Sequence, residues 1–171
     1  LAKSGVRNIA VIGRRKPTDW VEFCQTMAKQ GCHITTLLSD LSVDGELEQT
    51  LNGWQHDLPI IGAFHAAGIP VHGLLAQWEA QETKTLIQVK ANSFTSLHRW
   101  LESQKAQYLV GFSSVASLGT LGQGAYAIAN AYLDGYALAQ QDKPGCRVVS
   151  IAWGAWDKVG MTSEQTLLDK L

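Results

Sequence analysis

The stretch YLVGFSSVASLGTLGQGAYAIAN, residues 108–130, decides the fold of this chain. Residues 108–112 are apolar apart from one glycine, and a run of this length predicts a buried strand, which here ends in two serines. Tyr126 and Asn130 are four residues apart, so a helix places both side chains on one face, one turn apart. A strand end and a helix thus deliver a hydroxyl and a phenol to one edge of a sheet. This pair of hydroxyl groups is suited to binding and protonating a carbonyl oxygen. The alternative interpretation is an ordinary strand–loop–helix with a packed tyrosine.

Strand and helix signals alternate on both sides of this stretch. Short apolar or β-branched runs predict strands at Asn8–Ile12, His33–Leu38, Ile60–Phe64, Gln107–Phe112 and Arg147–Ala152. Helical patterns are predicted at about Thr18–Gln30, Val43–Trp54, Glu82–Ser103 and Leu121–Gln141. This alternation implies right-handed βαβ crossovers, and therefore an α/β fold with a doubly wound parallel sheet of the Rossmann type. We expect one domain that spans residues 1–171.

Composition and charge narrow the classes of function. Hydrophobic residues make up 46% of the chain and charged residues 17%, and the formal net charge of −1 argues against a nucleic-acid or anionic-membrane surface. The chain has no apolar run of about 18 residues, the length that crosses a bilayer. Three cysteines without a C-x-x-C pair predict reduced thiols and a cytoplasmic location. Five histidines without ligand spacing predict no metal site.

Several short motifs, in their joint order along the chain, carry a family resemblance. They are His65-Ala66-Ala67-Gly68, Phe112-Ser113-Ser114, Ala131-Tyr132-Leu133-Asp134 and Ala152-Trp153-Gly154-Ala155-Trp156 followed by Gly160-Met161. With them the chain resembles the ketoreductase domains of modular polyketide synthases and animal-type fatty acid synthases, a branch of the short-chain dehydrogenase/reductase superfamily. The superfamily commonly has Tyr-x-x-x-Lys and an earlier Asn. The ketoreductases exchange these two positions, and this chain matches them, with Asn130 after Tyr126 and Lys90 in the earlier helix.

The resemblance implies a catalytic set of Tyr126, Ser114, Lys90 and Asn130. Tyr126 would protonate the carbonyl oxygen and Ser114 would donate a hydrogen bond to it. A phenol in water titrates near pH 10, so acid–base work at neutral pH needs a nearby cation, which Lys90 would supply to the phenol or to the cofactor ribose. Asn130 would orient Lys90 and a water. The loop before Tyr126 is one residue shorter than the family pattern, which leaves Ser113 as an alternative to Ser114.

The resemblance also implies NADPH as the cofactor. A cation at the end of the second strand of such a fold suits the 2′-phosphate, and Arg14 occupies that position; a solvated basic loop is the alternative. Asp40 resembles the acidic residue beside the adenine ring, although a lone Asp opening a loop can also be a helix N-cap. Ala66, Ala67 and Gly68 would let the backbone approach the cofactor closely.

The Gly-rich turn expected of a dinucleotide fold has no counterpart here, since no G-x-G-x-x-G occurs in the chain. Compared with the family, residues 1–5 resemble the end of the first helix and Asn8–Ile12 the second strand. We therefore expect an N-terminal segment, in the same polypeptide or in a companion chain, to supply the first strand and the Gly-rich loop.

The substrate implied by the resemblance is a β-ketoacyl thioester on an acyl carrier protein, reduced to the β-hydroxyacyl form beside neighbouring synthase domains. A reductase-like structural or epimerising domain is the alternative function. Such domains typically lose the Tyr or the Asn, and both Tyr126 and Asn130 are present. Two markers of product stereochemistry are missing: Ile69–Gly73 lacks Leu-Asp-Asp, and Gln123 stands where one class has Trp. The resemblance leaves the stereochemistry open.

Overall fold

The computed structural model describes residues 1–69, 79–119 and 124–154, and the chain divides after His56 into two compact units. Each unit alternates strands with helices. The stereochemical markers at residues 70–73 and 123 and the motif residues from Ala155 onward lie outside the described part. Within the described part, no helix is both long enough and apolar enough to cross a membrane.

The first unit pairs two parallel strands. Strand β1 (Asn8–Gly13) lies beside β2 (His33–Leu38) in register, with Asn8 opposite His33 and Gly13 opposite Leu38. Helix α1 (Trp20–Lys29) connects them, and the Trp20 indole donates a 2.8 Å hydrogen bond to Thr36 Oγ1, which fixes the start of α1 against β2. Helix α2 (Glu46–Gly53) follows β2 and buries two leucines one turn apart, Leu47 and Leu51.

The second unit contains a three-stranded parallel sheet in the order β3–β4–β5. Its strands are β3 (Gly62–His65), β4 (Tyr108–Ser114) and β5 (Arg147–Trp153). The central strand, β4, runs two residues beyond its predicted end at Phe112. The reason is that its ladder with β5 continues through both serines, with Ser113 opposite Ala152 and Ser114 opposite Trp153.

Helical segments connect the strands of the second unit. Helix α3 (Ala80–Ile87) starts with a capping box between Glu79 and Glu82. A π-helical turn (Gln88–Asn92) follows and leads directly into α4 (Ser93–Ser103), so the long helix predicted from Glu82 is interrupted in its middle. Helix α5 (Gly124–Gln140) connects β4 to β5.

The core of the second unit lies between β4 and the two helices α4 and α5. Phe94, Leu101, Leu109 and Leu133 are completely buried there. Gly111 of β4 makes this packing possible, because a Cβ at that position would lie 2.8 Å from Phe94 Cε2 and 3.3 Å from Leu133 Cδ2. The lack of a side chain lets both helices approach the strand that ends in the two serines.

The predicted α/β class with parallel strands is confirmed, and the predicted strands and helices are present with shifted ends, except that the π-helical turn divides the helix predicted over Glu82–Ser103. Within the second unit, β3, β4 and β5 all run in the same direction, so their carboxyl ends meet at one edge of the sheet. That edge carries His65 at the end of β3 and the two serines at the end of β4. The expectation of a single domain over residues 1–171 stays a prediction.

Candidate active site

Lys90 occupies the middle of the π-helical turn and is almost completely buried, with 2% of its surface exposed. Its Nζ donates a 2.8 Å hydrogen bond to the backbone carbonyl of Phe112, near the end of β4. The same atom lies 5.9 Å from the centroid of the Tyr126 ring, within the range of a cation–π interaction. A buried cation needs such partners, because it has lost its hydration.

Burial and one carboxylate shift the pKa of Lys90 in opposite directions. Burial lowers the pKa of Lys90 to about 8, while the negative charge of Asp134 acts in the opposite direction. Asp134 lies on α5, and its Oδ1 accepts a 2.6 Å hydrogen bond from Ser150 Oγ on β5. That bond holds the carboxylate in place. Lys90 therefore titrates close to neutral pH, where a lysine can change its charge during catalysis.

Tyr126 and Asn130 lie one turn apart on α5, as predicted. Asn130 is completely buried, and its Nδ2 donates a 2.7 Å hydrogen bond to the Tyr126 carbonyl. Its Oδ1 is also buried and accepts no hydrogen bond from the part of the chain that the structure describes. An unmet buried acceptor costs about 1–3 kcal/mol, which indicates that this oxygen is placed to receive a donor from outside the helix.

The two serines at the end of β4 point to different partners. Ser113 is buried, and its hydroxyl donates a 3.3 Å hydrogen bond to the Asn130 carbonyl, so it joins the strand to α5. Ser114 is half-buried, and its Oγ accepts a 3.2 Å hydrogen bond from the Ala116 amide. As an acceptor in that bond, the Ser114 hydroxyl keeps its hydrogen for donation. The geometry favours Ser114 over Ser113 as the donor to a substrate.

His65 ends β3, and three small residues follow it. His65 is buried, and its Nε2 lies 2.7 Å from Ser93 Oγ. Burial, with a further contribution from the charge of Lys90, lowers the pKa of His65 to about 3, so the ring is neutral. Ala66 is exposed and Ala67 and Gly68 are half-buried, and so the backbone at this edge is open to close approach by a ligand.

In the first unit, the residues expected to hold the adenosine end of a cofactor follow the two strands. Arg14 is exposed directly after β1. Asp40 follows β2, and its Oδ1 accepts hydrogen bonds from Ser42 Oγ at 2.6 Å and from the Ser42 amide at 2.9 Å. The hydroxyl bond, then the amide bond, and least of all the charge of Arg14 lower the pKa of Asp40, against a small opposing effect of burial. The N-cap of α2 is Gly45, so the alternative role of Asp40 as that cap is excluded.

The structure thus brings Lys90, Tyr126 and Asn130 together and places Ser114 two residues from the carbonyl that holds Lys90. The small residues after His65 leave the backbone open and so fit a nicotinamide cofactor. Sequence reasoning missed Asp134 and Ser93 as parts of this site. Asp134 belongs to a quoted motif, but its effect on Lys90 depends on packing, and Ser93 gives no signal in a single sequence.

Comparison with known proteins identifies the family of this chain. Residues 1–158 match the family described as the KR domain. The polyketide synthase GfsA of Streptomyces halstedii is 30% identical over 159 residues, and the spectinabilin polyketide synthase system protein NorA of Streptomyces orinoci is 31% identical over 156 residues. The alignments cover 91% and 89% of this chain but only 2% and 8% of these relatives, so the chain spans a small part of their length.

Solved structures of a ketoreductase and a dehydrogenase have a fold similar to that of this chain. A structure of A-type ketoreductases from a modular polyketide synthase has 27% sequence identity and a TM-score of 0.87, over 99% of this chain and 36% of that one. A short-chain dehydrogenase from Sphingobium yanoikuyae in complex with NADPH has 17% identity and a TM-score of 0.76, over 90% of this chain and 63% of that one. The second likeness shows the fold alone, which is that of the Rossmann-type dehydrogenases.

Proposed function

Because the chain belongs to the KR domain family, the ketoreductases of polyketide synthases within the short-chain dehydrogenase/reductase superfamily, we propose that it reduces a β-ketoacyl thioester to the β-hydroxyacyl form, with NADPH as the cofactor. The substrate would be tethered to an acyl carrier protein, and the neighbouring domains would be those of a synthase. The single observation that carries the proposal is the burial of the Lys90 ammonium over the ring of Tyr126, whose carbonyl accepts a hydrogen bond from Asn130.

The chemistry of ketone reduction needs one proton and one hydride. NADPH, when bound, supplies the hydride to the carbonyl carbon. Tyr126 gives its phenolic proton to the carbonyl oxygen as negative charge develops there, and Ser114 donates a hydrogen bond to the same oxygen. Lys90 stabilises the phenolate that remains. Preorganised donors of this kind typically contribute about 3 kcal/mol each to the barrier.

Asn130 would help to return a proton to Tyr126 after each reduction. Its Oδ1 is a buried acceptor that receives no hydrogen bond from the described residues, and we propose that it binds a water that exchanges protons with Lys90. Such a water, with Lys90, would restore the proton of Tyr126 from solvent. The near-neutral pKa of Lys90, about 8, suits this exchange, since the ammonium can release and regain a proton at low cost.

The cofactor would be held by residues at the ends of the strands. Arg14 would pair with the 2′-phosphate through charge-assisted hydrogen bonds. Asp40 would meet the adenine amine with Oδ2, because Ser42 occupies Oδ1. Ala66, Ala67 and Gly68 would admit the cofactor against the backbone. The three cysteines are free thiols, which supports a reducing, cytoplasmic setting for the reaction.

A direct assay separates reduction from the alternative of an epimerising or structural domain. The purified full-length polypeptide that contains this chain is given NADPH and a β-ketoacyl thioester of N-acetylcysteamine with one α-methyl group, in deuterated water. A reductase consumes NADPH in step with hydroxyacyl product. Exchange of the α-hydrogen without consumption of NADPH would identify an epimerase, and the absence of both reactions together with tight NADPH binding would identify a structural domain. Either result would overturn the proposal.

A further inference from the structure

The π-helical turn Gln88–Asn92 sets the position of Lys90. Such turns are rare, because their i→i+5 hydrogen bonds pack the backbone less well than an α-helix, and they occur frequently at functional sites. Lys90 is the third of the five residues, and Ser93 begins α4 directly after the turn. A turn of this kind needs contacts from outside the helix to keep its geometry.

Ser93 connects the turn to such a contact, which His65 makes from β3. The Oγ of Ser93 donates a 2.7 Å hydrogen bond to the carbonyl of Val89 inside the turn, and the same oxygen lies 2.7 Å from His65 Nε2. A serine hydroxyl has one hydrogen, which here goes to Val89. His65 must therefore donate to Ser93 from Nε2, and this fixes the imidazole tautomer.

His65 is itself held rigidly. It is the last residue of β3, paired opposite Gly111 of β4, and its ring packs edge-on against Phe94 with centroids 5.4 Å apart. The residue is 4% exposed, and burial lowers the pKa of His65 to about 3, which keeps the ring neutral well below pH 6. A neutral, buried imidazole cannot exchange protons with a substrate at physiological pH, but it is a good fixed donor.

We propose that His65 and Ser93 are positioning residues for Lys90: the hydrogen-bond relay from His65 through Ser93 to the Val89 carbonyl ties the π-helical turn to the end of β3 and so holds the ammonium between the Phe112 carbonyl and the Tyr126 ring. The inference deepens the proposed function and rests on it for its catalytic consequence. Its structural consequence, the environment of the Lys90 ammonium, is measurable without turnover.

A second buried histidine shows what a purely structural role would be. His98 lies on α4, is 3% exposed, accepts from the Tyr136 hydroxyl at 2.9 Å and donates to the Cys146 carbonyl at 3.2 Å. These partners join α4 to α5 and to the start of β5, away from the π-helical turn. His98→Leu is therefore the matched control for His65→Leu.

The variants separate the relay from simple packing. His65→Leu and Ser93→Ala remove it. His65→Gln puts an amide nitrogen where Nε2 lies and keeps a donor, whereas His65→Asn carries the same amide on a shorter side chain that does not reach Ser93. If His65→Leu does not fold, the Gln–Asn pair and Ser93→Ala decide the question.

Kinetics give the first measurement, with β-ketoacyl thioester and NADPH. We expect kcat to fall roughly 10- to 100-fold in His65→Leu, His65→Asn and Ser93→Ala, because a misplacement of about 1 Å costs this much, with rescue in His65→Gln. In a Lys90→Met background the same substitutions should cause no further loss. An equal loss in both backgrounds would mean that His65 acts through packing alone and would overturn the proposal.

The second measurement is the titration of the Lys90 amine, monitored by NMR of isotope-labelled lysine side chains. The groups that face its ammonium are Asp134 and Tyr126 on α5, His65 on β3 and the Phe112 carbonyl on β4. The midpoint should lie near pH 8 in the parent protein and move towards 10.5 when the relay is cut, since a loosened turn lets the ammonium reach water. It should not move in His65→Gln or His98→Leu.

The two measurements fail separately. If the parent protein reduces no ketone but the Lys90 midpoint moves as expected, the proposed function is wrong and the positioning relay stands. If the parent is active and the midpoint stays near pH 8 in folded His65→Leu and Ser93→Ala, the relay does not position Lys90, and the inference is wrong.

Discussion

The ammonium of Lys90 donates a 2.8 Å hydrogen bond to the backbone carbonyl of Phe112, and this bond joins a helical turn to the end of the central strand of the second unit. Phe112 comes two residues before Ser114, and the same Nζ lies over the ring of Tyr126. One buried cation therefore connects the strand that presents a hydroxyl with the helix that presents a phenol.

Tyr126→Phe should lower kcat for ketone reduction by 10²–10⁴-fold and leave the Kd for NADPH nearly unchanged. The phenolic proton is needed only as charge develops on the carbonyl oxygen, so the loss belongs to the chemical step. Steady-state kinetics and a fluorescence titration of NADPH measure the two quantities. Tyr132→Phe is the control, because the Tyr132 hydroxyl bonds to Thr95 on α4 at 3.0 Å. A Tyr126→Phe variant with more than about a tenth of the parent kcat would contradict the catalytic role.

Much of this site could be predicted from sequence because it depends on local periodicity. The four-residue spacing of Tyr126 and Asn130 puts them on one face of any helix, and the apolar run before Ser113 predicts a buried strand in any context. The π-helical turn could not be predicted, since the pattern from Glu82 to Ser103 reads as one continuous helix and only tertiary contacts interrupt it.

The structure also bears on the choice between the two serines. Adjacent residues of a strand point to opposite faces, so the sequence indicates that Ser113 and Ser114 differ but not which of them α5 covers. The ladder between β4 and β5 and the contact with the Asn130 carbonyl decide it. The effect of Asp134 on the pKa of Lys90 could not be predicted from the sequence either, because it depends on how α5 packs beside the turn.

Ser114→Ala should raise the activation barrier by about 3 kcal/mol, which lowers kcat roughly a hundredfold. Thermal stability should change little. Ser113→Ala is the matched control, one residue away on the same strand. Removing its buried hydrogen bond to the Asn130 carbonyl should cost about 1 kcal/mol of folding free energy and leave most of the activity. Kinetics and urea unfolding of both variants measure this. The reverse pattern would make Ser113 the substrate donor.

Arg14→Ala should weaken NADPH binding by about 1.5–3 kcal/mol and leave NADH binding nearly unchanged, because only NADPH offers a 2′-phosphate for a charge-assisted pair. Isothermal titration with both cofactors measures the two affinities. Arg15→Ala is the control, since Arg15 is the neighbouring exposed cation in the same turn. Equal losses for NADPH and NADH, or a larger effect at Arg15, would remove Arg14 from the site.

Lys90 should make the protein more stable as the pH rises from about 8 to 10.5. Burial lowers the pKa of its amine to about 8 from the ordinary value of 10.5, so in this window the folded protein binds fewer protons than the unfolded chain, and stability rises with pH. The shift corresponds to about 3 kcal/mol.

Burial raises the pKa values of Cys146 and Tyr136, and these groups act in the opposite direction. The quantity to measure is therefore the difference in unfolding free energy between parent and Lys90→Met, from urea unfolding across this pH range. Lys84→Met, at an exposed position of α3, is the control and should track the parent. A constant difference between parent and Lys90→Met from pH 7 to 10.5 would mean that the Lys90 amine is not desolvated, and the electrostatic basis of the site would be wrong.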